Sequence, residues 1–165
     1  MTIFPEDIEA SAARIVADFS ARGLTIATAE SCTGGLIAGA LTEVSGSSAA
    51  VDRGFVTYSN QAKADMLGVS AEVLTRFGAV SRETALQMVD GALRRSGANI
   101  AVAVTGVAGP TGGTAEKPVG LVHLAAKSQS GLLVHREMHY GDIGRTEIRL
   151  ATVRTAFELL VAVAG

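Results

Sequence analysis

The sequence predicts an α/β fold, a three-layer α/β/α sandwich built around a mixed sheet. Short apolar runs alternate with segments of helical periodicity along the chain, the pattern of strands covered by crossover helices. Two further apolar runs near the C-terminus are joined by a short polar turn at Ser128–Gly131. That turn reads as a hairpin and adds antiparallel strands to a parallel set. The 165 residues are 48% hydrophobic, enough for one core, and no linker, repeat or low-complexity tract interrupts them. One domain over 1–165 is therefore expected.

The elements follow in order. Ile8, Ala12, Ile15, Val16 and Phe19 recur at helical spacing over 5–22, with Pro5 and acids in the first turn and Gly23 as the stop. The apolar run 24–29 reads as a buried strand. A Gly- and Ala-rich helix is expected over 33–44, a loop at Ser45–Ser48, a strand over 55–58 and a short helix over 61–67. A second short helix spans 69–77 and ends at Gly78. Ser81 caps a helix over 82–95, which carries Glu83 in its first turn and Gly97 past its end. Residues 100–104 form another buried strand, 106–118 a glycine-rich loop, and 119–126 and 132–140 the hairpin. The last helix covers 142–163, with Ile148, Thr152, Leu159 and Val163 on one face.

Charge and composition exclude several classes. Basic residues number 14 and acidic ones 16, for a net charge of −2. Neutralising phosphates requires a basic surface, and stacking single strands requires aromatics. With 4% aromatic residues and no Trp, the chain is not expected to bind nucleic acid. Cys32 is the lone cysteine, so no intrachain disulfide forms, which fits a reducing compartment. The N-terminal residues are too acidic for a signal peptide, and no apolar run reaches the ~18 residues of a membrane span. A cytoplasmic protein without membrane association is expected.

Gly accounts for 19 residues, about 12% against an average near 7%. The glycines cluster with small hydroxyl residues in three places. Ala29-Glu30-Ser31-Cys32-Thr33-Gly34-Gly35 is a strand-to-helix junction, where N–H groups and the positive helix end suit an anion or an oxyanion. Ser31 stands there either as a nucleophile or as a plain N-cap. The second cluster is Ser45-Gly46-Ser47-Ser48, leading to Tyr58-Ser59-Asn60-Gln61-Ala62-Lys63. A lysine in a partly apolar site loses its proton near neutral pH and serves as a base. A Ser–Lys pair with a Tyr hydroxyl relaying protons is one solution to amide hydrolysis without histidine. A solvated lysine and a core tyrosine are the structural alternative.

The third cluster, Thr105-Gly106-Val107-Ala108-Gly109-Pro110-Thr111-Gly112-Gly113-Thr114, offers bare backbone for close approach to a ligand. It lacks the Gly-Lys-[Ser/Thr] of a P-loop. All three clusters follow or adjoin strands, whose C-terminal edges are where open α/β sheets bind ligands. Arg145 and Arg149, four apart near the start of the last helix, present guanidinium groups to a phosphate or carboxylate, or pair with Asp142 or Glu147. His123, His135 and His139 lack metal-site spacing, and no metal is expected. Cys32 reads as a small buried residue rather than a nucleophile.

Four motifs in this order carry a resemblance: Ala29-Glu30-Ser31-Cys32-Thr33-Gly34-Gly35, Gly54-x-Val56-x-Tyr58-Ser59-Asn60-x-x-Lys63, Thr105-Gly106-x-Ala108-Gly109-Pro110-x-Gly112-Gly113 and Lys117-Pro118-Val119-Gly120. Over about residues 7–163 the chain resembles the CinA C-terminal domain family, the nicotinamide-nucleotide amidohydrolases or NMN deamidases. The resemblance implies a three-layer α/β/α fold, a homo-oligomer, and cofactor-free hydrolysis of the carboxamide of nicotinamide mononucleotide to nicotinate mononucleotide and ammonia. It implies that Ser31 attacks the amide carbon while Lys63, helped by Tyr58, moves the protons. The substrate-binding set is then Cys32, Thr33, Gly34, Gly46, Ser47, Ser48, Thr105, Gly106, Ala108, Gly109 and Arg145. Backbone groups near Cys32–Gly34 or at Thr105–Gly106 would hold the oxyanion.

Two departures stand out. The family often has Gly-Asp-Arg before its last helix, where this chain has Gly141-Asp142-Ile143-Gly144-Arg145. Arg145 takes the arginine's place because Ile148 and Arg149 keep the downstream spacing. Family members also often carry a large N-terminal domain related to molybdopterin-binding folds, so this chain is expected to be the stand-alone form. A non-catalytic nucleotide-binding or regulatory module is the alternative to an enzyme.

Overall fold

The computed structural model describes residues 2–165. The elements are α1 (Glu6–Arg22), β1 (Ile26–Glu30), α2 (Leu36–Thr42), β2 (Val51–Val56), α3 (Asn60–Leu67), α4 (Ala71–Phe77), α5 (Arg82–Ser96), β3 (Ile100–Gly106), β4 (Leu121–Ser128), β5 (Leu133–His139) and α6 (Arg145–Ala164). The sheet runs β2-β1-β3-β4-β5. β2, β1 and β3 are parallel, while β4 and β5 are antiparallel to their neighbours, so the sheet is mixed. Ala29 lies opposite both Phe55 and Ala103, which brings the C-terminal ends of the three parallel strands to one edge.

Strand alternation sorts the two faces. In β3, Ile100, Val102 and Val104 point to the layer of α1, α2 and α6, and Ala101 and Ala103 to the layer of α5. The first layer packs Phe19, Ile37, Ile148, Phe157 and Leu160 over large strand residues. The second rests α5 on alanines: Ala27, Ala29, Ala101, Ala103 and Ala125 meet Met88, Val89 and Ala92. Small strand residues let α5 lie close to the sheet. Both faces of β1 are covered, and each of its residues is buried.

Several expected boundaries move. β2 begins at Val51, four residues before the expected strand, and ends at Val56. It is an edge strand, and its Asp52, Arg53 and Gly54 break the apolar run that would have marked it. α2 begins at Leu36 rather than residue 33, because Gly34 (φ 58°) and Gly35 (φ 103°) take left-handed conformations that no helix propagates. α6 begins at Arg145, three residues later than expected. Ser81 caps α5 as expected, accepting from the Thr84 N–H. Ser59 and Ser70 cap α3 and α4 in the same way, accepting from the N–H groups of Ala62 and Val73, and Ser70 moves the start of α4 to Ala71.

α3 crosses α5 at its tightest point over Gly91. A Cβ there would lie 2.0 Å from the Leu67 carbonyl oxygen. Gly91→Ala therefore forces the helices apart and is expected to cost about 2–3 kcal/mol. Thermal unfolding should show a fall of roughly 5–10 °C with the far-UV spectrum retained. An unchanged melting temperature would show that α3 is free to move.

Candidate active site

The site begins with a carboxylate. Glu30, the last residue of β1, is wholly buried and turns its side chain under the following helix. It accepts from the hydroxyls of Thr28 (3.2 Å) and Thr33 (2.7 Å) and from the N–H groups of Gly35 (3.2 Å), Ile37 (2.9 Å) and Ala38 (2.9 Å). The first turn of α2 is thus capped from within the chain. The expectation that this helix end meets a substrate anion is corrected, because its donors are already taken.

The turn that Glu30 anchors presents Ser31. The Ser31 N–H donates to the Val104 carbonyl, 3.1 Å away, and the Gly34 N–H donates to the Ser31 carbonyl at 3.0 Å. These bonds fix the backbone of Ser31 at the C-terminal edge of the sheet, between β1 and β3. Its hydroxyl does not cap α2. The Ser31 Oγ lies 2.9 Å from the Lys63 Nζ.

Lys63 arrives from α3, which follows β2 on the other side of β1. It is 1% exposed, not the half-solvated group that the sequence suggests. Its Nζ donates to the carbonyls of Thr57 (2.9 Å) and Tyr58 (3.4 Å). It pairs with no carboxylate among the described residues. Burial therefore holds its pKa below the usual lysine value of 10.5, because the ammonium form loses water and gains no counter-ion.

A cleft of about 350 Å³ opens over this pair. Ser31, Cys32, Lys63, Thr105, Gly106, Ala108, Gly109 and Arg145 line it, as do Tyr58 and Asn60. A larger depression of about 690 Å³ lies between α1 and α6, lined by other residues and containing neither Ser31 nor Lys63. Burial pushes the Cys32 thiol up to about 12, so it is no thiolate nucleophile at neutral pH.

Several expected site residues are elsewhere or do something else. Gly46, Ser47 and Ser48 precede β2, a strand parallel to β1, so they sit at the opposite sheet edge from Ser31. At about 3.3 Å per strand residue, the length of β2 separates them from the cleft by roughly 15–20 Å. Thr33 and Gly34 do not line the cleft: the Thr33 hydroxyl serves Glu30 and its carbonyl accepts from Arg149. Tyr58 is 63% exposed, and its hydroxyl accepts from the Arg145 Nη2 at 3.2 Å. Its backbone carbonyl, not its phenol, meets Lys63. The Thr105 hydroxyl donates to the Ala79 carbonyl at 2.7 Å and so holds the wall of the cleft.

Arg145 also donates to the Gly109 carbonyl at 2.7 Å and thereby spans the mouth. Arg149 makes neither of the expected acidic pairs and instead grips the turn behind Ser31. Val107, Thr111 and Gly112 come to the cleft with the glycine-rich loop read as a ligand segment, whereas Asn60, Ala79 and Val80 line it without having been expected there. Asn60 follows the serine that starts α3 and Val80 precedes the serine that starts α5, so helix N-caps are the local signal near both. His123 and His135 stack at 5.4 Å between ring centroids, and among the described residues no three potential ligands converge on a metal site.

Comparison with known proteins places this geometry. The profile of the CinA C-terminal domain matches residues 8–164. A CinA-like protein of Geotalea daltonii is 48% identical over 96% of this chain, but the match covers 38% of that relative. This chain thus spans little more than a third of several curated relatives that it matches. The nicotinamide-nucleotide amidohydrolase PncC of Enterobacter agglomerans is 50% identical over 82% of each chain. The crystal structure of the competence/damage inducible protein CihA from Agrobacterium tumefaciens covers the whole of both chains, with 71% identity and a TM-score of 0.99.

Glu30→Gln keeps the shape of the side chain but turns an amide against backbone N–H groups. Leaving such buried donors unpaired is expected to cost about 3 kcal/mol. Chemical denaturation should show that loss, and amide exchange should show α2 losing protection before the sheet does. Wild-type stability would mean that the cap is dispensable.

Proposed function

The chain belongs to the CinA C-terminal domain family, and we propose that it is a Ser–Lys amidohydrolase that converts nicotinamide mononucleotide to nicotinate mononucleotide and ammonia. The observation that carries this reading is the 2.9 Å approach of the buried Lys63 Nζ to the Ser31 Oγ. The name of the Enterobacter agglomerans relative supports the substrate. The proposal takes the protein to work in the cytoplasm, as a homo-oligomer, on a small molecule and without nucleic acid or a cofactor. Among the described residues no helix is long and apolar enough to cross a membrane.

The chemistry follows from the amine. In its neutral form Lys63 gives its two N–H bonds to the carbonyls of Thr57 and Tyr58, and its lone pair faces the Ser31 hydroxyl. Ser31 passes its proton to Lys63 as its Oγ attacks the carboxamide carbon. The developing oxyanion accepts from the Cys32 N–H, which makes no bond within the described residues. Collapse breaks the C–N bond, and the Lys63 ammonium returns the proton to the departing ammonia. Water, deprotonated by the same amine, then releases nicotinate mononucleotide from Ser31. Tyr58 has no proton-relay role in this scheme. With Arg145 it forms the rim of the cleft. Arg145 spends N–H groups on Gly109 and Tyr58 and keeps others for the phosphate.

Ammonia release from nicotinamide mononucleotide, nicotinamide riboside and NAD tests the reading. Mononucleotide that stabilises the protein thermally without any turnover would overturn it in favour of a binding module. Because the amine must be neutral to act, kcat/KM should rise with pH through a midpoint below the ordinary lysine range. Lys63→Met should abolish turnover without lowering stability. A depressed folded-state pKa means that the folded chain binds fewer protons than the unfolded one between its folded pKa and 10.5. The wild type therefore gains stability as pH rises through that window, and the variant does not. Stability curves with the same pH slope for both proteins would contradict this. Arg145→Ala should raise KM for the mononucleotide about tenfold while leaving the riboside nearly unaffected. Equal losses on both substrates would remove the phosphate role.

A further inference from the structure

Arg149 is a cation with no carboxylate partner among the described residues. It projects from α6 toward the turn behind Ser31. Its Nε donates to the Cys32 carbonyl at 3.1 Å and its Nη2 to the Thr33 carbonyl at 2.9 Å. It does not line the cleft. A partly buried guanidinium spent on two consecutive carbonyls of a turn requires a reason beyond charge balance.

Peptide planarity supplies one. In a trans peptide the C=O and the following N–H point in opposite directions. With the Cys32 carbonyl drawn toward α6, the Thr33 N–H must point away from α6. The Ser31 carbonyl is fixed by the Gly34 N–H, which orients the Cys32 N–H in the same manner. Arg149 on one side of Cys32 and the Ser31–Gly34 bond on the other thus leave this residue a single orientation. The N–H groups of Cys32 and Thr33 are the ones in the turn that find no partner among the described residues. Of these two residues, Cys32 lines the cleft and Thr33 does not.

We propose that Arg149 is a positioning residue that holds Cys32, and with it the oxyanion-binding amide of the Ser31 turn, in place from behind. It touches no substrate. The inference rests on Ser31 acting as an acyl acceptor, but not on the identity of the amide. It predicts that losing Arg149 lowers kcat rather than raising KM, because a preorganised donor acts on charge that develops only in the transition state.

The test uses a substrate-independent probe beside the natural one. A fluorophosphonate reacts with an activated serine: the Oγ–P bond forms, the P–F bond breaks, and fluoride leaves with the serine proton. The same oxyanion site must stabilise that reaction. Intact mass gives the labelling rate of Ser31 in the wild type, Arg149→Lys and Arg149→Met, with melting temperature measured on each. Labelling and kcat should fall about 100-fold in Arg149→Met and less in Arg149→Lys, which reaches a single carbonyl. KM and the midpoint of the pH profile should stay near wild type, because Lys63 and the rim are untouched. Folded variants that label at the wild-type rate overturn the inference and make Arg149 a strut, as does wild-type Ser31 that takes no label. If Arg149→Met does not fold, the Lys variant decides on the same rate. Wild-type protein that labels but releases no ammonia from nicotinamide mononucleotide sinks the substrate reading alone.

Discussion

The buried carboxylate of Glu30 is the constraint on which the site depends. Moving a carboxylate out of water costs several kcal/mol unless donors replace its hydration. Here Thr28, Thr33, Gly35, Ile37 and Ala38 all supply them. The arrangement works only if the chain leaves β1, turns sharply and starts α2 over the carboxylate. Ser31 is the residue at that corner. The side chain that caps the helix thus also dictates where the proposed nucleophile stands. The same bonds consume the positive end of α2, so the phosphate of the proposed substrate would need its cation elsewhere, and Arg145 at the rim has N–H groups to give.

A second feature is how the charges avoid one another. Glu30 is satisfied by N–H groups and hydroxyls, Arg149 by carbonyls, and Lys63 by carbonyls and a serine hydroxyl. None of these partners carries an opposite charge. The consequence is chemical. A carboxylate beside Lys63 would favour the ammonium and raise its pKa, leaving it unable to accept a proton from Ser31. Backbone carbonyls orient the amine and leave desolvation unopposed by any strong counter-charge. The proposed base is tuned by what has been kept away from it.

Much of the fold was legible because its signals are local. The Ser81 cap, the apolar run of residues 100–104 and the hairpin turn each depend on a few neighbouring residues. The site was legible in part. Ser31 and Lys63 lie 32 residues apart, and no spacing rule joins them; strand order does, and the resemblance together with a plausible arrangement of neighbouring strands points to it. Gly46–Ser48 were misplaced because composition does not say at which end of a strand a loop lies. Tyr58 differs because no motif says which part of a residue faces the site: the chain presents the carbonyls of residues 57 and 58 to Lys63 while the phenol swings outward. Glu30 went unnoticed as a cap because its donors are spread over residues 28 to 38, and an acid at the end of an apolar run reads simply as the end of a strand.

The glycine excess also acquires a different cause. The 106–113 loop reads as bare backbone reserved for a ligand, but most of its glycines face the protein. A Cβ on Gly106 would lie 2.6 Å from the Val122 Cγ2, and one on Gly109 2.6 Å from the Val119 Cγ1. Gly113 is almost as tight against Val119. These residues let the loop pack down on the start of β4, where the Val107 N–H donates to the Leu121 carbonyl and the Gly120 N–H to the Val107 carbonyl. Gly112 alone combines a place in the cleft wall with open space around its missing side chain. Close packing of this loop is what keeps the Gly109 carbonyl in place for Arg145 and the Thr105 hydroxyl on Ala79. The glycines serve the proposed site indirectly, by fixing the wall that faces Ser31 and Lys63.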